Sequence, residues 1–251
     1  MSATAMLSNS AHRVWPLPRG PWIMRQTWHE LLFAHWPLDP AILAARIAPG
    51  LTLDTFDGRA YLGVIPFRMS DVAPRAVPAI PWLSAFAEMN VRTYVIRDGI
   101  PGVWFFSLDA ANPVAVALAR ALFFLPYFTA RMRCVREGDA IHYASRRTRG
   151  HDARTAAFAA TYRPIGPVYH SAPGRLDHWL TERYCLYAAS PRGALYRCDI
   201  HHAQWPLQPA AAEITRNTMA AAAGFTLPDT PPHLRYAARQ DVLVWAPHRV
   251  G

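Results

Sequence analysis

The 251-residue chain contains no lysine, and all 26 of its basic residues are arginine. No side chain can therefore supply a primary amine, which excludes a lysine Schiff base with a carbonyl substrate. Cysteine is scarce too: Cys134, Cys185 and Cys198 are far apart and form no C-x-x-C pair. That excludes a disulfide scaffold and predicts a reduced, cytoplasmic protein. Residues 1–20 carry no apolar run of signal-peptide type, which agrees with that location. The longest apolar run, residues 113–130, is interrupted by Arg120 and Pro126 and reads as a buried core helix rather than a membrane span. G-x-S-x-G, Walker and G-x-G-x-x-G motifs are missing, and with them the usual marks of α/β-hydrolases, P-loop enzymes and dinucleotide binders.

What the chain does have is 52% hydrophobic residues and a formal charge of +9. The first supports a sizeable core. The second would suit a nucleic-acid partner, but the arginines are scattered and no nucleic-acid-binding pattern accompanies them. Arg131, Arg133, Arg146, Arg147 and Arg149 are the one group that could form such a surface; nucleic-acid binding is the minor alternative. The eleven histidines do not suggest a metal. His29-Glu30 with His35 has the wrong spacing for H-E-x-x-H, and the adjacent His201 and His202 would face opposite ways on a strand. Neither a metal nor a cofactor is expected.

Turn and cap signals divide the chain into short elements. Asp39-Pro40 opens a helix that Pro49-Gly50 stops, and Asn112-Pro113 opens another that Pro126 limits. Hairpins are expected at residues 51–69 around Asp57-Gly58, at 86–109, and at 131–147. Further strands are expected at 28–36, 158–163, 195–205 and 236–245, with helical spacing over 176–187 and a helix over 210–223. The pattern has no βαβ rhythm and no repeat. It predicts a single α+β domain over residues 22–251, built on a large antiparallel sheet that is closed or strongly curled, after a partly disordered extension at 1–21.

On the strand EMNVRTYV, Glu88, Asn90, Arg92 and Tyr94 share one face, and Met89, Val91, Thr93 and Val95 the other. The first set forms either a solvated face or the wall of an enclosed cavity. Arg120, on a helix apolar all round, needs an anionic partner if buried, and Glu88 and Asp109 are the candidates. Such a pair could equally serve only to fix the fold.

The segments YLGVIPFRM, FAEMNVRTYV, GVWFFSLDA, ARALFFLPYFTARM, HYASRR and LTERYCLY are long and unusual. Through them the chain resembles the YqjF-like domain-of-unknown-function family, part of the acetoacetate decarboxylase-like superfamily, over roughly residues 22–245. In the decarboxylase the helix leads to a Pro-Lys-Lys segment whose first lysine forms the Schiff base. Pro126-Tyr127-Phe128 stands there in this chain, and the nucleophile is gone.

The resemblance implies a cone-shaped antiparallel sheet with a central cavity and a few flanking helices. It implies a small-molecule binding protein, or an enzyme of lyase or isomerase type working by proton transfer without an imine. Glu88 is then the acid/base, Tyr127 a donor where the lysine stood, and Arg120 a group delivered to the cavity; Asn90, Arg92, Trp104 and Phe106 contact the substrate. A small carboxylate or keto compound is the expected partner, with no membrane or nucleic acid; a homo-oligomer is compatible with this reading. The alternative is a filled cavity and a structural or partner-binding domain that uses the Pro-rich loop at 72–82.

Overall fold

The computed structural model describes residues 2–80, 83–148 and 155–251. Its elements run α1 (Ala3–Ser8), β1 (Met24–Leu38), α2 (Pro40–Ala44), β2 (Thr52–Leu53), β3 (Ala60–Pro74), β4 (Phe86–Arg97), β5 (Ile100–Ala110), α3 (Pro113–Phe123), β6 (Tyr127–Glu137), β7 (Ala140–Arg147), β8 (Ala157–Pro164), α4 (Leu176–Thr181), β9 (Cys185–Ala189), β10 (Leu195–His201), β11 (Gln208–Asn217), α5 (Met219–Ala222), β12 (His233–Val244) and β13 (His248–Arg249). No helix among the described residues is long and apolar enough to cross a membrane.

The thirteen strands among the described residues belong to one sheet, ordered β13-β10-β9-β5-β6-β7-β8-β11-β12-β1-β3-β4-β2. Two extra pairings, β4 with β5 and β10 with β12, close it twice. One circuit runs β5-β6-β7-β8-β11-β12-β1-β3-β4, the other β5-β9-β10-β12-β1-β3-β4, and the two share β12, β1, β3, β4 and β5. Each shared strand therefore presents alternate residues to two different interiors. The first interior is filled by Leu32, Val64, Met89, Val91, Tyr143 and Phe158, among others, all 2% exposed or less. The second is hollow.

The sheet is mixed rather than purely antiparallel, because β5 runs parallel to both β6 and β9. The β5–β6 pair is parallel because α3 carries the chain across between the two strands. Asn112 starts this helix by accepting from the Val114 and Ala115 amides, and Phe124 ends it in the left-handed conformation at φ 54°.

Other sequence expectations fail where pairing overrides local preference. The alanine-rich stretch expected as a helix at 210–223 is mostly β11, held by β8, with only the short α5 after it. The helical spacing at 176–187 ends with α4, and the chain then extends into β9 between β5 and β10. Asp57-Gly58 makes its turn, but only Phe56 and Arg59 pair across it; β2 joins β4 instead. Within the N-terminal extension, α1 packs its Met6 with Leu243 and Trp245, and the Trp245 indole donates to the Gly20 carbonyl at 2.7 Å.

One glycine is required by the close approach of β5 to β9. A Cβ on Gly102 would lie 2.7 Å from Cε2 of Tyr187 and 2.8 Å from Sγ of Cys185. Gly102→Ala is expected to cost about 1–3 kcal/mol through this overpacking. Urea unfolding tests it, and an unchanged midpoint would show that the two strands separate freely.

Candidate active site

The hollow interior has a volume of about 520 Å³. Its wall is mainly apolar, built from residues such as Trp28, Phe67, Phe105, Leu108 and Leu186, with Glu88, Asn90, Arg92, Tyr127, Arg183 and His202 as the chief polar groups. Strand alternation puts three of these there: on β4, Met89 and Val91 point into the filled core, while Glu88, Asn90 and Arg92 point the other way. From the filled side the Tyr143 hydroxyl donates to the Glu88 carbonyl at 2.6 Å, fixing the β4 backbone.

Tyr127 arrives by the crossover. It starts β6 opposite Leu108 of β5, and its hydroxyl donates to Oε2 of Glu88 at 2.9 Å. Glu88 is only 4% exposed. Burial raises its pKa to about 8, and the nearby Asp109 charge pushes the same way, while the Tyr127 hydrogen bond opposes them. Glu88 is thus a carboxylic acid, not a carboxylate, at neutral pH. Burial and Glu88 together hold the Tyr127 phenol well above its ordinary range.

The two arginines of the cavity differ. Arg183 donates to Asp54 Oδ2 at 2.6 Å and to the Trp179 carbonyl at 2.6 Å, leaving Nη2 without a partner. Arg92 has no ion pair among the described residues, and its Nε is buried and unpartnered. Both guanidiniums flank Tyr94, at 5.6 Å and 4.8 Å from the ring centre. Asn90 Oδ1 and Trp205 Nε1 are likewise buried without partners. Behind them the Tyr94 hydroxyl lies 2.6 Å from Nε2 of His35, a histidine whose burial keeps it neutral.

Of the candidates read from sequence, Glu88, Asn90, Arg92 and Tyr127 come together here. Three do not. Arg120 lies on the outer surface, because α3 caps the sheet instead of being buried in it, and its Nε donates to the Tyr127 carbonyl at 2.6 Å. It pairs with neither expected carboxylate. Glu88 is neutral, and Asp109 is held by Arg147 through bonds of 2.9 and 2.6 Å. Trp104 and Phe106 alternate away from the cavity wall, where Val103 and Phe105 stand; Trp104 packs in the cluster around Leu51 and Val95, and Phe106 on Phe225.

Sequence reasoning missed Arg183, His202 and Trp205. Reading residues 176–187 as one helix hid Arg183, since only the switch from α4 to β9 turns it inward. The arginine cluster is also divided: Arg131, Arg133 and Arg146 are exposed on the β6–β7 hairpin, Arg147 is buried, and Arg149 lies outside the described residues. So do Pro81 and Trp82 of the Pro-rich loop.

Comparison with known proteins agrees with this architecture. An acetoacetate decarboxylase from Legionella pneumophila aligns over 98% of this chain and 95% of its own with a TM-score of 0.60 at 14% identity. An acetoacetate decarboxylase-like enzyme from Sphingomonas wittichii covers 95% of this chain and 99% of its own, with a TM-score of 0.62 at 13% identity. The enduracididine biosynthesis enzyme MppR complexed with pyruvate covers 95% and 93%, with a TM-score of 0.62 at 11% identity. These likenesses establish the fold, a large sheet of acetoacetate decarboxylase type. Much nearer in sequence is the protein YqjF of Bacillus subtilis, 50% identical over 229 residues, which are 91% of this chain and 93% of that one. The model of the DUF2071 family, described as an uncharacterized conserved protein, matches residues 25–241, and the chain belongs to that family.

Proposed function

We propose that the chain is a small-molecule protein of the acetoacetate decarboxylase-like superfamily whose hollow compartment takes a carboxylate or keto compound. Where it turns that ligand over, the chemistry is proton transfer without a covalent imine. The observation that carries this reading is a buried Glu88, bonded to Tyr127, on the same strand face as Arg92, which has no ion pair among the described residues.

Each part has a chemical role. Arg92 offers a charge-assisted hydrogen bond to an anionic or carbonyl oxygen. Glu88, protonated near neutrality, gives a proton to a developing oxyanion or carbanion and takes one back. Tyr127 steadies the Glu88 carboxyl and stands where the superfamily's amine would be. The apolar wall keeps water from the reacting group. A structural neighbour complexed with the keto acid pyruvate supports this ligand class.

A thermal-shift series of the wild type, Glu88→Gln and Tyr127→Phe against pyruvate, acetoacetate and simple carboxylates tests the proposal. A ligand that binds only the native state raises its melting temperature, by an amount that grows with concentration. The expected result is a saturable rise for the wild type that is reduced in both variants. A rise of equal size in all three proteins would place the ligand outside this compartment, and none from any compound would favour a purely structural domain.

A further inference from the structure

The compartment has room for more than a four-carbon keto acid. Its 520 Å³ falls within the range of sites that take a medium-sized organic ligand. A small ligand would leave most of the apolar wall facing water.

The polar groups are also unevenly placed. At 3.3 Å per residue, Arg92 lies about 13 Å along β4 from Glu88. Its guanidinium and that of Arg183 both lie against Tyr94. Beyond Glu88 the wall continues through Phe86, paired with Met69, and Met69 with Trp28. There α3 covers the opening. Its Leu118 and Leu122 line the cavity and are still 52% and 61% exposed, so they form an apolar rim at the mouth.

The charges beside Tyr94 do not cancel. Arg183 is matched by Asp54, while Arg92 has no carboxylate among the described residues. Arg92 is half-buried, and one anionic group on a ligand would supply the counter-charge that the described residues do not.

Resting on the proposed binding of a carboxylate or keto compound, we infer that the ligand is an amphipathic monocarboxylate: its carboxylate sits on Arg92 and Arg183, and an apolar body of medium chain length runs past Glu88 to the Leu118–Leu122 rim. Glu88 and Tyr127 then face a position several bonds from the carboxylate, not the carbon next to it.

Calorimetric titration of the full chain with butanoate, hexanoate, octanoate, decanoate and 1-decanol reads this out. Affinity is expected to rise about fourfold per added methylene, the ratio set by burying each in an apolar wall. Decanol should bind at least tenfold more weakly than decanoate. Arg92→Gln should abolish the preference for decanoate over decanol. Leu118→Asp, at the half-exposed rim, should flatten the chain-length series. If butanoate and pyruvate bind as tightly as decanoate, the amphipathic ligand is wrong and the proposed function stands. If decanol equals decanoate, the role of Arg92 is wrong. If nothing binds, both readings fall.

Discussion

Asp109→Asn is expected to lower stability by about 3–5 kcal/mol, a fall in melting temperature of about 10 °C for a domain of this size. Asp109 and Arg147 are 0% and 4% exposed at their side chains, and Arg147 meets the carboxylate with two nitrogens. Its guanidinium also sits 3.7 Å from the centre of the Phe128 ring. Burial alone pushes the Asp109 carboxyl above its ordinary range, and the bonds from Arg147 pull it back only in part. Exchanging the pair as a unit costs little, but removing one charge strands the other. Urea unfolding of Asp109→Asn, Arg147→Gln and the double variant separates these terms. The double loss should be clearly smaller than the sum of the two single losses. Additive losses would mean that the two groups do not depend on one another.

Glu88→Gln is expected to change how stability depends on pH. The folded state keeps the Glu88 proton up to about pH 8, whereas the unfolded chain releases it near 4.5. Between those values the folded state holds more protons, so the Glu88 contribution falls as pH rises through that window and levels off above it. A gap of that size is worth on the order of 3–5 kcal/mol. Glutamine never ionises, and it keeps the shape and a hydrogen-bond acceptor for Tyr127. The variant should match the wild type near pH 4.5 and surpass it by pH 9. Parallel stability profiles from pH 4.5 to 9 would show that Glu88 titrates alike in both states.

Much of this site was legible in the sequence. The alternation of EMNVRTYV placed Glu88, Asn90 and Arg92 on one face, and the structure answers which face that is: an interior, since β4 is shared between two closed circuits. The missing lysine was equally plain, and it removes the imine route whatever the shape of the cavity. What stayed hidden depended on contacts distant in sequence. Arg120 sits in an apolar run, and apolarity alone cannot tell a core helix from one that caps a cavity mouth with Val114, Leu118 and Leu122 turned to solvent. Arg183 is aimed inward only because β9 is drawn between β5 and β10. The alanines of β11 favour a helix locally, and the register with β8 prevails.

The central claim, a neutral glutamic acid held by Tyr127 inside the hollow compartment, is tested most directly by carbon NMR. The chain has only five glutamates, so selective side-chain carboxyl labelling gives few signals, and Glu88→Gln identifies the one that matters. Titrated from pH 3 to 10, that signal should move with a midpoint near 8, as the burial of Glu88 requires. A midpoint between about 4 and 5, the ordinary glutamate range, would mean that Glu88 is ionised at neutral pH, and the account of the site would fail.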